Sequence, residues 1–143
     1  MERLEFERLC CDASAELGVA DTGALGQGFG STFRDVRFET SFDEAGDSFL
    51  LLAELGEIEE SQRAAVYENL LIAQHMTWNR PSLRFGFDPE RRKVMLCVEA
   101  HFGPQTGGAW LAKLMRAVAA QALEWRQTLL AGKVREGGLG HQA

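Results

Sequence analysis

The side chains able to do chemistry in this chain are few and scattered. Its histidines are His75, His101 and His141, and none forms an HExxH or similar pair. His75 falls near the end of a helical pattern and reads as a partly exposed structural residue. His101 points away from an apolar strand face, and His141 lies in the terminal tail. Among Cys10, Cys11 and Cys97 there is no CxxC, and no cysteine–histidine spacing suits zinc. Neighbouring cysteines bridge only with strain, so Cys10 and Cys11 are expected as free thiols, one facing inward, and Cys97 as a small core residue. The GQGFG run, Gly26 to Gly30, has Ser31 where a dinucleotide-binding GxGxxG needs its third glycine, and it follows a helix pattern instead of a strand. Neither a Walker loop nor a nucleophile elbow occurs. Asp43, Glu44 and Asp47 lack the alternating oxygens of a calcium loop, and Asp88 and Glu90 flank a turn proline where carboxylates are ordinary. No catalytic residue, metal or cofactor is expected, and the chain reads as a non-enzyme.

What must position these side chains is an α+β pattern. Phe6, Leu9, Ala13 and Leu17 form the stripe of an amphipathic helix over Glu2 to Leu17, which Gly18 ends. Five glycines from Gly18 to Ser31, Gly18 included, predict a loop. Val36, Phe38, Thr40 and Phe42 then alternate with polar residues, as a strand with one wet face does. The acidic turn Asp43 to Asp47 leads to an apolar run, Phe49 to Leu55, which completes a hairpin. A helix starts from Glu59 and carries Ala65, Tyr67, Leu70, Leu71, Ala73 and Gln74 until Asn79-Arg80-Pro81 stops it. Leu83, Phe85 and Phe87, a turn at Asp88 to Arg92, and Lys93 to Phe102 predict a second hairpin. Thr106 is placed to cap a last helix whose apolar residues are Leu111, Leu114, Val118, Ala122, Trp125 and Leu129. Helix, hairpin, helix, hairpin, helix predicts a two-layer sandwich, an antiparallel sheet of two hairpins covered by three helices. The domain is expected over residues 1–131, with a flexible C-terminal tail over residues 132–143.

The 143 residues are 45% hydrophobic and 25% charged, the usage of one globular domain, too short for a TIM barrel, a kinase or a two-domain dehydrogenase. A net charge of -6 argues against binding nucleic acid. Residues 1–68 hold 16 acids and 5 bases, whereas residues 69–143 hold 5 acids and 10 bases. Such halves are expected to sit together and neutralise one another. The charged start MERLEFERL predicts no secretory signal, no run of residues is long and apolar enough to span a membrane, and the expected location is the cytoplasm. What exceeds the needs of one core is aromatic surface: Phe38, Phe42 and Phe49 are expected in the core, while Phe29, Phe33, Trp78 and Trp110 are candidates for a partner surface.

Three stretches in this order resemble a known family. LLLAELGEI (Leu50 to Ile58) is similar to a strand and Leu-Gly turn, NLLIAQHMTW (Asn69 to Trp78) to an "LLxAN" helix, and RFGFDPERRKVMLCVEA (Arg84 to Ala100) to a hairpin of the class I type III secretion chaperones, the CesT or Tir chaperone family. The late Trp125 of the last helix matches too. Glu57-Ile58 stands where the family often has proline, and Gln74 where it has asparagine. The resemblance covers residues 2 to 131. It implies a homodimeric bacterial cytosolic chaperone that holds the N-terminal segment of an effector in extended form, with the export ATPase as a further partner. YbjN-like proteins share this fold, so an interaction or regulatory module is the alternative. Carried onto this chain, the resemblance implies effector binding at Leu4, Leu9, Phe33, Val36 and Phe38, and a dimer interface at Leu71, Trp78, Leu83, Phe85 and Leu96.

Overall fold

The computed structural model describes residues 1–77 and 83–131. In chain order the elements are α1 (Arg3–Leu17), β1 (Ser31–Phe33), β2 (Val36–Phe42), β3 (Ser48–Gly56), a 3₁₀ turn (Glu60–Gln62), α2 (Arg63–Met76), β4 (Leu83–Asp88), β5 (Lys93–His101) and α3 (Gly108–Gln127). The strands form one antiparallel sheet in the order β1-β2-β3-β5-β4. Both expected hairpins are present, joined through β3 and β5, and the α+β class is as expected.

The local chemistry accounts for most boundaries. The Glu2 N–H donates to Glu5 Oε1 at 3.3 Å at the start of α1. Gly18 ends the helix in the left-handed region, φ 77°, its N–H returning to the Ala15 carbonyl. Two expectations are corrected. The glycine-rich loop stops one residue early, because Ser31–Phe33 pairs with β2 as an unforeseen edge strand. Thr106 does not cap α3: the N-cap is Gly107, and the Thr106 hydroxyl accepts instead from the Gly103 N–H at 2.7 Å, closing a turn before the helix.

The core lies on one face of the sheet. Val36 and Phe38 of β2, Phe49, Leu51, Ala53 and Leu55 of β3, and Val94, Leu96 and Ala100 of β5 meet Phe6, Leu9 and Ala13 of α1 and Leu111, Met115, Val118, Ala122 and Trp125 of α3. At one end the rings of Phe6 and Phe42 stack at 4.2 Å, and Phe49 packs against Phe6 at 5.2 Å and Phe102 at 5.5 Å. Phe38, Phe42 and Phe49 thus belong to the core or pack on it. Helices α1 and α3 touch closely, since a Cβ on Gly108 would stand 2.6 Å from Asp12 Cβ. At the other end Arg126 ties α3 to the sheet, donating to the carbonyls of Leu55 at 2.6 Å, Glu54 at 3.1 Å and Asp35 at 3.0 Å.

The opposite sheet face carries the charges. Arg91 pairs with Glu54, and with Glu39 and Asp88 at 3.6 Å, while Lys93 reaches Glu57 at 3.1 Å. Glu16 and Arg116 join α1 to α3 at 3.6 Å. In each of these pairs except Arg91–Asp88, an acid of the first half meets a base of the second, so the two halves neutralise one another within the fold as expected.

Candidate functional site

Helix α2 is built unlike the other two. Its inward side is Val66, Asn69 and Ala73, all buried, at helical spacings of three and four. Tyr67 and Leu71, also four apart, form a second apolar pair that points outward, 41% and 72% exposed. A helix apolar on two sides has more surface than its own core can cover.

Strand β4 presents a matching surface. Leu83, Phe85 and Phe87 share the face that α3 covers, and the Phe85 ring lies 5.1 Å from Trp125. Phe87 extends beyond the tryptophan and is 41% exposed, with the Arg92 guanidinium 6.0 Å from its ring. Between α2 and this hairpin runs an open apolar groove of about 370 Å³, lined by Tyr67, Leu70, Leu71, Phe85, Gly86, Phe87 and Val94. Past Tyr67 and Phe87 it continues into a charged mouth bearing Glu57, Arg63, Glu90, Arg91 and Arg92.

Other apolar side chains on α1 and near the first strands are also open to solvent. Leu4 and Phe29 are 73% and 64% exposed, and Phe33 is half-buried with the Arg34 guanidinium 4.9 Å from its ring. The other three residues assigned there, Leu9, Val36 and Phe38, are buried in the core and have no surface to offer another chain. They belong to the common core. The same holds for Leu96, which stands between Ala53 and Phe85 in the register and is buried. Of the residues assigned to the dimer interface, Leu71 and Phe85 line the groove, Leu83 is half-buried on the same strand face, and Trp78 lies outside the described residues. Tyr67, Leu70, Phe87 and Val94 join Leu71 and Phe85 in the groove without being part of the interface that the resemblance implies. The signal for Tyr67 was its spacing of four from Leu71.

Among the described residues, chemically reactive groups do not converge. His75 is exposed, and exposed His101 has the Asp47 carboxylate 4.0 Å from its Nδ1. His141 lies outside the described residues. Burial, then the charge of Glu7, then Cys11 pushes the Cys10 thiol up to about 12. Burial also raises Cys97, against the lowering influence of Arg84. Such thiols stay protonated and unreactive at neutral pH. The glycine-rich loop is packed on α1, Gly26 so close to the Glu7 backbone that a Cβ would stand 2.9 Å from its Cα. Among the described residues no three His, Cys, Asp or Glu side chains gather as a metal site requires, and no helix is long and apolar enough to cross a membrane.

The arrangement offers apolar contact area. No protein-family model matches the sequence, and no curated protein does. Among solved structures, the chain is similar to one in the crystal structure of the ExsC-ExsE complex, with a TM-score of 0.67 and 20% identity over 90% of this chain and 96% of that one. It is also similar to a chain in the structure of the HopA1-SchA chaperone-effector complex, with a TM-score of 0.60 and 14% identity over 88% of this chain and 96% of that one. The fold is thus one found in a chaperone-effector complex, as the sequence resemblance implies.

Proposed function

We propose that this chain is a class I type III secretion chaperone of the bacterial cytoplasm. It acts as a homodimer that holds the N-terminal segment of an effector in extended form until export, and delivers it to the export ATPase. The observation that carries this reading is the exposure of large apolar side chains in two separate places, on a fold shared with a chain of a chaperone-effector complex. The surface around Leu4, Phe29 and Phe33 is assigned to the client, while Leu9, Val36 and Phe38 belong to the common core. The groove of Tyr67, Leu71, Phe85 and Phe87 is assigned to a second copy, and Trp78 and Leu83 adjoin it in sequence.

Two sites with two occupants suit the energetics. Ordering an extended client costs at least about 2–5 kcal/mol, so its grip must come from a large apolar contact anchored by side chains such as Leu4 and Phe29. Effector binding is non-covalent throughout. The test is co-expression with candidate effectors encoded nearby, followed by light scattering. A particle of twice 15.8 kDa that carries an effector's N-terminal segment is the expected result. A strict monomer that captures no effector contradicts the proposal.

A further inference from the structure

The two edges of the sheet differ. On one side β1 spans only Ser31–Phe33, and among the described residues its backbone hydrogen bonds run to β2 alone. On the other side β4 spans Leu83–Asp88 and pairs with β5 through one edge, leaving its second row of N–H and C=O groups facing outward. Two groups of that outward row, at the start of the strand, are occupied. The Gln74 side chain of α2 donates from Nε2 to the Leu83 carbonyl at 3.1 Å and accepts at Oε1 from the Phe85 N–H at 3.0 Å.

The pattern has a specific meaning. In a parallel ladder, one residue donates its N–H to residue i−1 of its neighbour and accepts from the N–H of residue i+1. Gln74 makes both bonds around Arg84 with one side-chain amide. Only a primary amide supplies donor and acceptor at this spacing; glutamate at neutral pH accepts only, and leucine does neither. Gln74 therefore sits where a residue of a sixth strand would sit, and Leu70 and Leu71, one turn earlier, stand in the groove beside it.

We propose that Gln74 closes the β4 edge to strand addition and leaves β1 as the edge along which an extended segment can pair. Taking a client as that segment rests on the function proposed above; the closure of β4 does not. It also means that a second copy meets this face through side chains in the groove and not through a continuous sheet.

The test compares the wild type with Gln74→Leu and Gln74→Glu by residue-resolved amide exchange. The probe is a short peptide of alternating valine and threonine carrying a nitroxide, which broadens the amide signals it approaches. In the wild type the Phe85 amide is protected, and in Gln74→Leu its exchange speeds up by about tenfold or more. Gln74→Glu loses part of that protection, because its carboxylate can accept from Phe85 but repels the Leu83 carbonyl. The peptide broadens Ser31–Phe33 in the wild type, and reaches Leu83–Asp88 only in Gln74→Leu. Broadening along β4 in the wild type, no broadening along β1, or equal Phe85 exchange in wild type and Gln74→Leu overturns the inference. Should Gln74→Leu not fold by circular dichroism, Gln74→Ala decides by the same readout: faster Phe85 exchange than in the wild type supports the bond, and unchanged exchange contradicts it. No effector enters this readout, so failure to capture a client counts against the function and not against the closure.

Discussion

Replacing Leu71 with glutamate separates folding from assembly. In the single chain Leu71 is 72% exposed and outside the core, so Leu71→Glu should change the stability of the fold by no more than about 0.5 kcal/mol. In a dimer built on the groove the same position becomes buried. Full burial of a leucine is worth about 1.5–3 kcal/mol, and the part still open here corresponds to about 1–2 kcal/mol. A two-fold interface contains the site twice, which makes the loss about 2–4 kcal/mol, before any cost of desolvating two carboxylates. The dimer dissociation constant should therefore rise by roughly 30- to 1,000-fold. Light scattering over a dilution series reads this as a shift from twice 15.8 kDa to 15.8 kDa, with the far-UV circular dichroism unchanged. A Leu71→Glu chain that dissociates at the wild-type concentration would refute the placement of the interface.

Three further outcomes follow from particular side chains. Asn69 is buried on α2, and among the described residues neither its amide nitrogen nor its oxygen has a hydrogen-bond partner, so Asn69→Leu should stabilise the fold by about 1–3 kcal/mol in urea denaturation; a lower midpoint would mean that the amide is satisfied after all. Phe38→Asp should unfold the chain, whereas Leu4→Asp should fold normally and bind an effector segment more weakly by about tenfold or more; circular dichroism and a pull-down on both variants check this, and intact folding of Phe38→Asp would show that Phe38 is not core. Cys10 has its pKa raised from 9.0 to about 12, so the unfolded chain loses this proton first as pH rises. Its contribution to stability is complete below pH 9 and lost between 9 and about 12, and the decline measured by urea denaturation should be shallower in Cys10→Ala.

Period alone located most of this fold. The 3–4–4 spacing of Phe6, Leu9, Ala13 and Leu17, and the alternation from Val36 to Phe42, report the helix and strand because the repeat of the backbone imposes the repeat of burial. β1 is not legible in the sequence because Ser31–Phe33 is too short to show a repeat and follows a glycine-rich loop. The β3–β5 pairing is non-sequential and leaves no local trace. The candidate surfaces were harder to read for a related reason. Alternation identifies Phe38 and Leu96 as sharing a face with their strand neighbours but does not say that α1 and α3 cover that face, so residues assigned to partners turned out to be core. Tyr67 and Leu71 behave oppositely: their spacing is helical, yet they stand outside the stripe of Val66, Asn69 and Ala73. Gln74 was visible as a departure from the family pattern, while its bonds to β4 depend on how α2 lies beside that strand.

The central claim is that this chain binds an extended client through apolar surface at α1 and the first strands. Amide exchange with and without the first hundred or so residues of a co-expressed effector tests it most directly. The account predicts added protection at residues 2–9 and along Ser31–Phe33 on binding, with none along β4. Protection confined to the groove of Tyr67 and Phe87, or absent everywhere for every effector tried, would contradict it.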